Sequence, residues 1–271
     1  MTQINSIANR PIGVFDSGLG GLTVLKSLEK QLPNESFLYF GDTAHVPYGT
    51  KSKETVIRYS RDITRFLISK EVKLIVIACN TASSIALKYL QDNSKIPIIG
   101  VVEPVVRESV SNTKSAVVGV IGTRATINSN SYRLMFNSIE PEISIIEKAC
   151  PLFVPIIEEG WAETETATQV AEIYLKSMLK SNLDTLVLGC THYPILIPTL
   201  KKIIPAHVNL ISSGDPVSKT VSEYLKEHNL HSKSDTRYEE FFVTDYPQQF
   251  NEIGSRFLGR KLSPVTQVDI S

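Results

Sequence analysis

The sequence predicts an α/β protein made of two similar halves. Each half carries a mainly parallel sheet, a pseudo-twofold relates them, and the active site lies in the cleft between them. Three observations predict it. Short apolar and β-branched runs alternate with helix-length segments along the 271 residues, the spacing of βαβ units with helices on both sheet faces. Two segments read almost as copies, "LIVIACNTAS" around Cys79 and "TLVLGCTHYP" around Cys190. A second pair, "GVFDSGLG" from Gly13 and "GVIGTRAT" from Gly119, recurs at a displacement of 106 residues, against 111 for the cysteines.

Taken in order, strands are expected at 12–15, 37–40, 74–78, 98–101, 116–121, 143–147, 185–188 and 208–211. Each is an apolar, β-branched run of strand length. Helices are expected at 20–31, 53–69, 82–92, 164–180 and 217–228, filling the intervals between strands. The tail after Ser232 is polar and yields one expected strand, 239–243. No segment is of low complexity, and no long linker separates the units.

Composition excludes several function classes. Lys plus Arg and Asp plus Glu balance at 28 each, so no basic footprint for nucleic acid or a membrane surface is expected. The opening "MTQINSIANRP" has no apolar core of a secretory signal, and the longest apolar runs are only strand-length. Cys79, Cys150 and Cys190 are too few and too far apart for a disulfide framework, so reduced thiols in a cytoplasmic protein are expected.

In parallel sheets the site lies beyond the carboxyl ends of the strands, where all four repeated motifs fall. One side of the cleft would then present Asp16, Ser17, Cys79, Asn80 and Thr81, and the other Thr123, Cys190, Thr191 and His192. Both cysteines are expected at strand-to-helix turns, where a helix N-terminus favours thiolate. A thiolate facing a thiol suits removal of a proton from one face of a carbon and delivery to the other. Asp16 and Glu158 are the acidic candidates for orienting the thiols and relaying protons, with His192 close to the second thiol. Helix N-termini with hydroxyl and amide side chains would hold the carboxylates of an amino-acid substrate.

Plainer readings exist for each residue. A buried cysteine at a strand end is usually a small apolar side chain; Cys150, followed by Pro151 and lacking polar followers, reads that way. Cys190 and His192 form a C-x-H pair, but only Cys79 and His45 are available to complete a four-ligand zinc site, so no metal is expected. Asp16 also suits a helix cap, and Glu158 and Glu159 would by default be solvated charges at a helix start. Gly18 and Gly20 after a strand, with Asp42 ending the next, imitate a dinucleotide fingerprint. Thr23 stands where the third glycine belongs, and Asp16 would oppose the pyrophosphate. Two lobes around a cleft also describe a non-catalytic receptor, which needs no thiols.

The chain resembles the bacterial glutamate racemases of the cofactor-independent aspartate/glutamate racemase superfamily. The matching segments are "GVFDSGLGGLTV", "GDTAHVPYGTKS", "ACNTAS", "GVIGTRAT", "LFVPIIEEG" and "LGCTHYP", in the expected order across most of the chain. The resemblance implies interconversion of L- and D-glutamate, supplying D-glutamate for peptidoglycan precursors, without pyridoxal phosphate, metal or nucleotide. By motif, Cys79 and Cys190 resemble the catalytic pair, and Asp16, Glu158 and His192 their auxiliaries. The choice of Glu158 rests on the resemblance. The substrate cradle would be Asp16, Ser17, Tyr48, Gly49, Asn80, Thr81, Thr123, Thr191 and His192.

The family pattern further implies that Cys79 takes the proton of the D-isomer, aided by Asp16, and Cys190 that of the L-isomer, aided by His192. It implies a discontinuous first domain, 1–97 with 209–271, and a second domain, 98–208. The family is often dimeric, so a homodimer is an expected assembly. Racemisation of aspartate is the near alternative within the superfamily, and the segments flanking the cysteines favour glutamate.

Overall fold

The structure, a computed structural model, describes residues 7–262 and 264–270. In chain order the strands are β1 (Ile12–Asp16), β2 (Phe37–Gly41), β3 (Leu74–Ile77), β4 (Ile98–Gly100) and β5 (Val117–Gly122). They continue as β6 (Ser144–Ala149), β7 (Thr185–Gly189), β8 (Asn209–Ile211), β9 (Glu239–Val243) and β10 (Val265–Gln267). The helices are α1 (Leu22–Gln31), α2 (Lys53–Ser69), α3 (Asn80–Asp92), α4 (Val102–Asn112), α5 (Arg124–Asn128) and α6 (Ser131–Ile139). They are followed by α7 (Phe153–Glu158), α8 (Glu165–Leu175), α9 (Ile197–Ile203), α10 (Gly214–Glu227) and α11 (Pro247–Leu258).

The strands form two sheets, ordered β10-β9-β2-β1-β3-β4 and β6-β5-β7-β8. Among the described residues every strand pairing is parallel. The order β2-β1-β3-β4 in the first sheet matches β6-β5-β7-β8 in the second, so β1 corresponds to β5 and β3 to β7. The repeat seen in the sequence is thus a repeat of topology, with β9 and β10 added to the first sheet.

Parallel sheets covered by helices bury both faces. Along the first sheet Ile12, Val14, Leu74 and Val76 enter one core cluster, and Phe15, Ile75 and Ile77 the other. That two-sided burial is why these strands are continuous apolar runs. The first cluster continues through Val118, Val120, Leu186 and Leu188 of the second sheet, so the two halves share packed core. Each such side chain contributes about 1.5–3 kcal/mol by leaving water.

The structure differs from the sequence expectations at several elements. Strand β4 pairs with β3, and β8 with β7. The expected divisions after 97 and after 208 therefore each cut off one strand; by strand pairing the sheets change hands beyond Gly100 and beyond Ile211. The expected helix 164–180 ends at Leu175, and only a single turn follows at Met178–Lys180. Helices α4, α5, α6, α7, α9 and α11 and strand β10 had no counterpart in the expectations. Several are short, α4 and α7 contain Pro104 and Pro155, and Asn130 at φ 56° separates α5 from α6. No described helix is long and apolar enough to cross a membrane.

Candidate active site

The interior strands β3 and β7, equivalent in the two sheets, each run into a cysteine. Cys79 is the N-cap of α3: its sulfur accepts the Ala82 N–H at 3.5 Å, while the thiol donates to Ser17 Oγ at 3.5 Å. Cys190 follows β7 directly and leads into the single turn Tyr193–Leu196 rather than an α-helix. Both sulfurs line one cavity of about 310 Å³. The same cavity is lined by Ser17, Tyr48, Gly49, Asn80, Thr81, Thr123, Glu158, Thr191 and His192, which brings together all but one of the sequence-selected residues.

The exception is Asp16. It ends β1, is fully buried behind the cavity wall and does not line it. Its carboxylate accepts the Gly18 N–H at 2.9 Å and the Thr191 hydroxyl at 3.3 Å, so it meets the opposite turn through Thr191. The loop after β1 comes very close to that turn. A Cβ on Gly20 would lie 2.3 Å from both His192 Nδ1 and Thr191 Oγ1. Only glycine fits there.

Around Cys190 the polar groups form a chain. His192 Nδ1 lies 3.9 Å from the sulfur, and His192 Nε2 lies 2.9 Å from Glu158 Oε1. Glu158 stands at the end of α7, not at a helix start, and its helix carries it into the cavity. Burial works against charge on His192, yet the hydrogen bonds to Cys190 and Glu158 prevail and raise its pKa to about 10. The ring is therefore an imidazolium at neutral pH, with both nitrogens donating.

Cys79 has the opposite environment. Burial, reinforced by the nearby Asp16 charge, pushes its thiol up to about 12 against the hydrogen bonds it shares with Ala82 and Ser17. The helix N-terminus was expected to favour thiolate; desolvation outweighs it. Burial likewise raises the Asp16 carboxyl above its ordinary value, against the His192 charge. The two sulfurs are nearly equally hidden, Cys79 5% and Cys190 6% exposed, but electrostatically unlike.

The remaining cradle is built from local capping. Thr123 caps α5 by accepting the Thr126 N–H at 3.2 Å. The hydroxyls of Thr81, Thr123 and Thr126 contact one another at 3.0–3.1 Å across the two lobes. Tyr48 is 1% exposed and donates to Asp42 Oδ2 at 2.5 Å. Asp42 Oδ1 is engaged by His45 at 2.8 Å and by the Thr244 hydroxyl at 2.9 Å. Asp42, which imitated a ribose-binding acid in the sequence, instead holds the loop that forms the cavity rim.

Sequence reasoning missed Val46, Pro47, Thr50, Pro151, Val154 and Pro155, which also line the cavity. Most fall inside segments whose polar residues had been selected, so the apolar neighbours carried no chemical signal of their own. Cys150 is buried and its thiol is raised to about 12, chiefly by burial, as a packing residue would be. Among the described residues, no group of three His, Cys, Asp or Glu side chains is arranged to hold a metal. A larger cavity, about 700 Å³, lies elsewhere, between His45, Arg58, Tyr59 and Thr244, and no cysteine lines it. The smaller cavity is the chemical candidate because both cysteines and the Glu158–His192 pair open into it.

The chain is similar to known proteins over nearly its whole length. The family model described as Asp/Glu/hydantoin racemase matches residues 12–219. The glutamate racemase of Geobacter metallireducens is 48% identical over 262 residues, covering 96% of this chain and 97% of that protein. The crystal structure of Francisella tularensis glutamate racemase in complex with D-glutamate superposes with a TM-score of 0.92 at 43% identity, over 97% of this chain and 98% of that one. A Bacillus anthracis glutamate racemase isoform gives a TM-score of 0.94 at 37% identity, with the same coverage of both chains. Near-full-length identity at this level, on the same two-sheet architecture, makes the chain a member of the Asp/Glu/hydantoin racemase family.

Proposed function

We propose that this protein interconverts L- and D-glutamate by two-base proton transfer between Cys79 and Cys190, without a cofactor, and so supplies D-glutamate for peptidoglycan precursors. The observation that carries the mechanism is the pair of unlike thiols on one cavity, each at the end of the equivalent interior strand of its own sheet. Enzyme class and substrate rest on the likeness to glutamate racemases over nearly the whole chain.

The resting state holds one sulfur neutral and the other next to a positive charge. Burial and Asp16 keep Cys79 as a thiol, while the His192 imidazolium stands 3.9 Å from the Cys190 sulfur. In one direction the Cys190 thiolate takes the α-proton from one face of glutamate as Cys79 delivers its proton to the other. In the reverse direction the roles exchange. By the family pattern the first substrate is the L-isomer and the second the D-isomer. His192, backed by Glu158, supports Cys190, and Asp16 supports Cys79.

An α-proton is much less acidic than a thiol, and no electron-sink cofactor lowers the barrier here. The barrier falls when preorganised donors meet the substrate carboxylates in a site that excludes water. The α3 N-terminus and the Ser17, Asn80, Thr81, Thr123 and Thr191 side chains supply such donors, and the apolar rim of Val46, Pro47, Val154 and Pro155 excludes water.

The test is to incubate chelator-treated protein with each glutamate isomer in D₂O, following circular dichroism and α-deuterium uptake. Decay of the optical signal with one deuterium entering is expected. Turnover of aspartate instead would keep the chemistry and move the substrate, while silence with both amino acids would sink the racemase reading.

A further inference from the structure

Each cysteine turn is gripped by a hydroxyl from the opposite lobe. Tyr132, the second residue of α6, is fully buried, and its hydroxyl donates to Asn80 Oδ1 at 2.6 Å. Asn80 is the residue after Cys79. The Tyr132 ring also presses on the residue before Cys190: a Cβ on Gly189 would meet Tyr132 Cε2 at 3.2 Å. One side chain thus spans both turns.

The reciprocal contact comes from the first lobe. Thr23, the second residue of α1, donates to the Thr191 carbonyl at 2.8 Å, sharing its proton with the Gly20 carbonyl at 2.9 Å. Thr191 is the residue after Cys190. α1 follows β1, and α6 comes after β5, its counterpart strand in the second sheet. The two grips therefore start from corresponding connections of the duplicated fold, β1 to β2 and β5 to β6, and end on corresponding residues.

We infer that Tyr132 and Thr23 are positioning residues that set the placement of the two cysteine turns across the cleft, each acting from the lobe that does not carry its target. Tyr132 has a second effect. A donating phenol selects the carbonyl oxygen of an amide, so it fixes the Asn80 orientation and leaves Nδ2, which reaches Ser213 Oγ at 3.4 Å, as the donor side. The inference rests on the two-cysteine reading, because only then does the placement of both turns control proton transfer. A misplacement of about 1 Å can cost on the order of a hundredfold in such steps.

The test uses Tyr132→Phe and Thr23→Val, which delete one hydroxyl each, with Thr23→Ser as the rescue. Initial rates are measured with α-protio and α-deutero L- and D-glutamate. Each deletion is expected to lower kcat on the order of tenfold with KM little changed, and Thr23→Ser to recover most of the loss. The isotope effect on kcat/KM should rise for one enantiomer and fall for the other, with the enantiomers exchanged between Tyr132→Phe and Thr23→Val. General loosening of the fold would shift both isotope effects alike. Unshifted effects, or the same shift in both variants, in a wild type that racemises glutamate would overturn this inference alone. A wild type without racemase activity would overturn the underlying reading and the inference with it.

Discussion

His192 is held between a sulfur and a carboxylate, and that placement makes two residue-scale predictions. With its pKa raised to about 10 in the folded protein and near 6.5 when unfolded, His192 binds a proton that the unfolded chain has released between those values. The resulting stability is complete below about pH 6.5 and is lost as pH rises towards 10. Glu158→Gln removes one of the two partners that raise it, so the ring should titrate below 10 in NMR, and the alkaline fall in Tm should be smaller and level off at lower pH. An unchanged His192 titration would show that Glu158 does not hold the charge. The second prediction concerns the thiols. At pH 8 a group titrating near 12 is ionised in about one part in ten thousand, so Cys79 should be the slow thiol although its exposure matches that of Cys190. Mass mapping after brief iodoacetamide treatment should find Cys190 labelled well before Cys79; equal labelling would refute the assigned asymmetry.

At the scale of the element, Cys79 serves two functions that substitution can separate. As N-cap of α3 it accepts the Ala82 N–H, and as a thiol it faces the cavity. Serine is a better cap than cysteine, and alanine is none. Cys79→Ser should keep or raise Tm and Cys79→Ala should lose about 1 kcal/mol relative to it, a difference of about 2–4 °C in a chain of this size, while both lose racemisation. Equal melting of the two variants would mean that position 79 needs no side-chain cap. The elements that carry the site were legible because chemistry and periodicity coincided in them: β1, β3, β5 and β7 are apolar runs that stop at a polar motif. Helix α11 was not, because its buried stripe of Phe250, Gly254, Phe257 and Leu258 contains a glycine and lies in a polar segment. Nor was the direction of Asp16 legible. Its neighbours placed it at a strand end, but which way a fully buried carboxylate turns depends on Gly18 and Thr191, and Thr191 lies 175 residues away.

Across the whole molecule, the ends of the first sheet are specialised for different purposes. The carboxyl ends of its strands hold the cavity; the amino ends hold a buried ion pair. Lys73, just before β3, donates to Glu35 Oε2 and to the Ala8 carbonyl at 2.5 Å each, and to the Leu230 carbonyl at 2.8 Å. Glu35, just before β2, also accepts the Ser232 N–H at 2.8 Å. Neither charged side chain is more than 2% exposed. The pair ties the chain start to the segment that returns after α10, the return that makes the first half discontinuous. Deleting one member of a buried pair strands the other charge, at a cost of about 3–5 kcal/mol. Lys73→Met should therefore lower Tm by roughly 6–20 °C. Below its lowered melting point the variant should keep kcat and KM, because neither residue of the pair lines the cavity. Replacing both partners, as Lys73→Met with Glu35→Leu, should recover much of the stability, since it removes the stranded carboxylate too. A loss of kcat/KM in Lys73→Met at a temperature where it is fully folded would show instead that the two ends of the sheet are coupled.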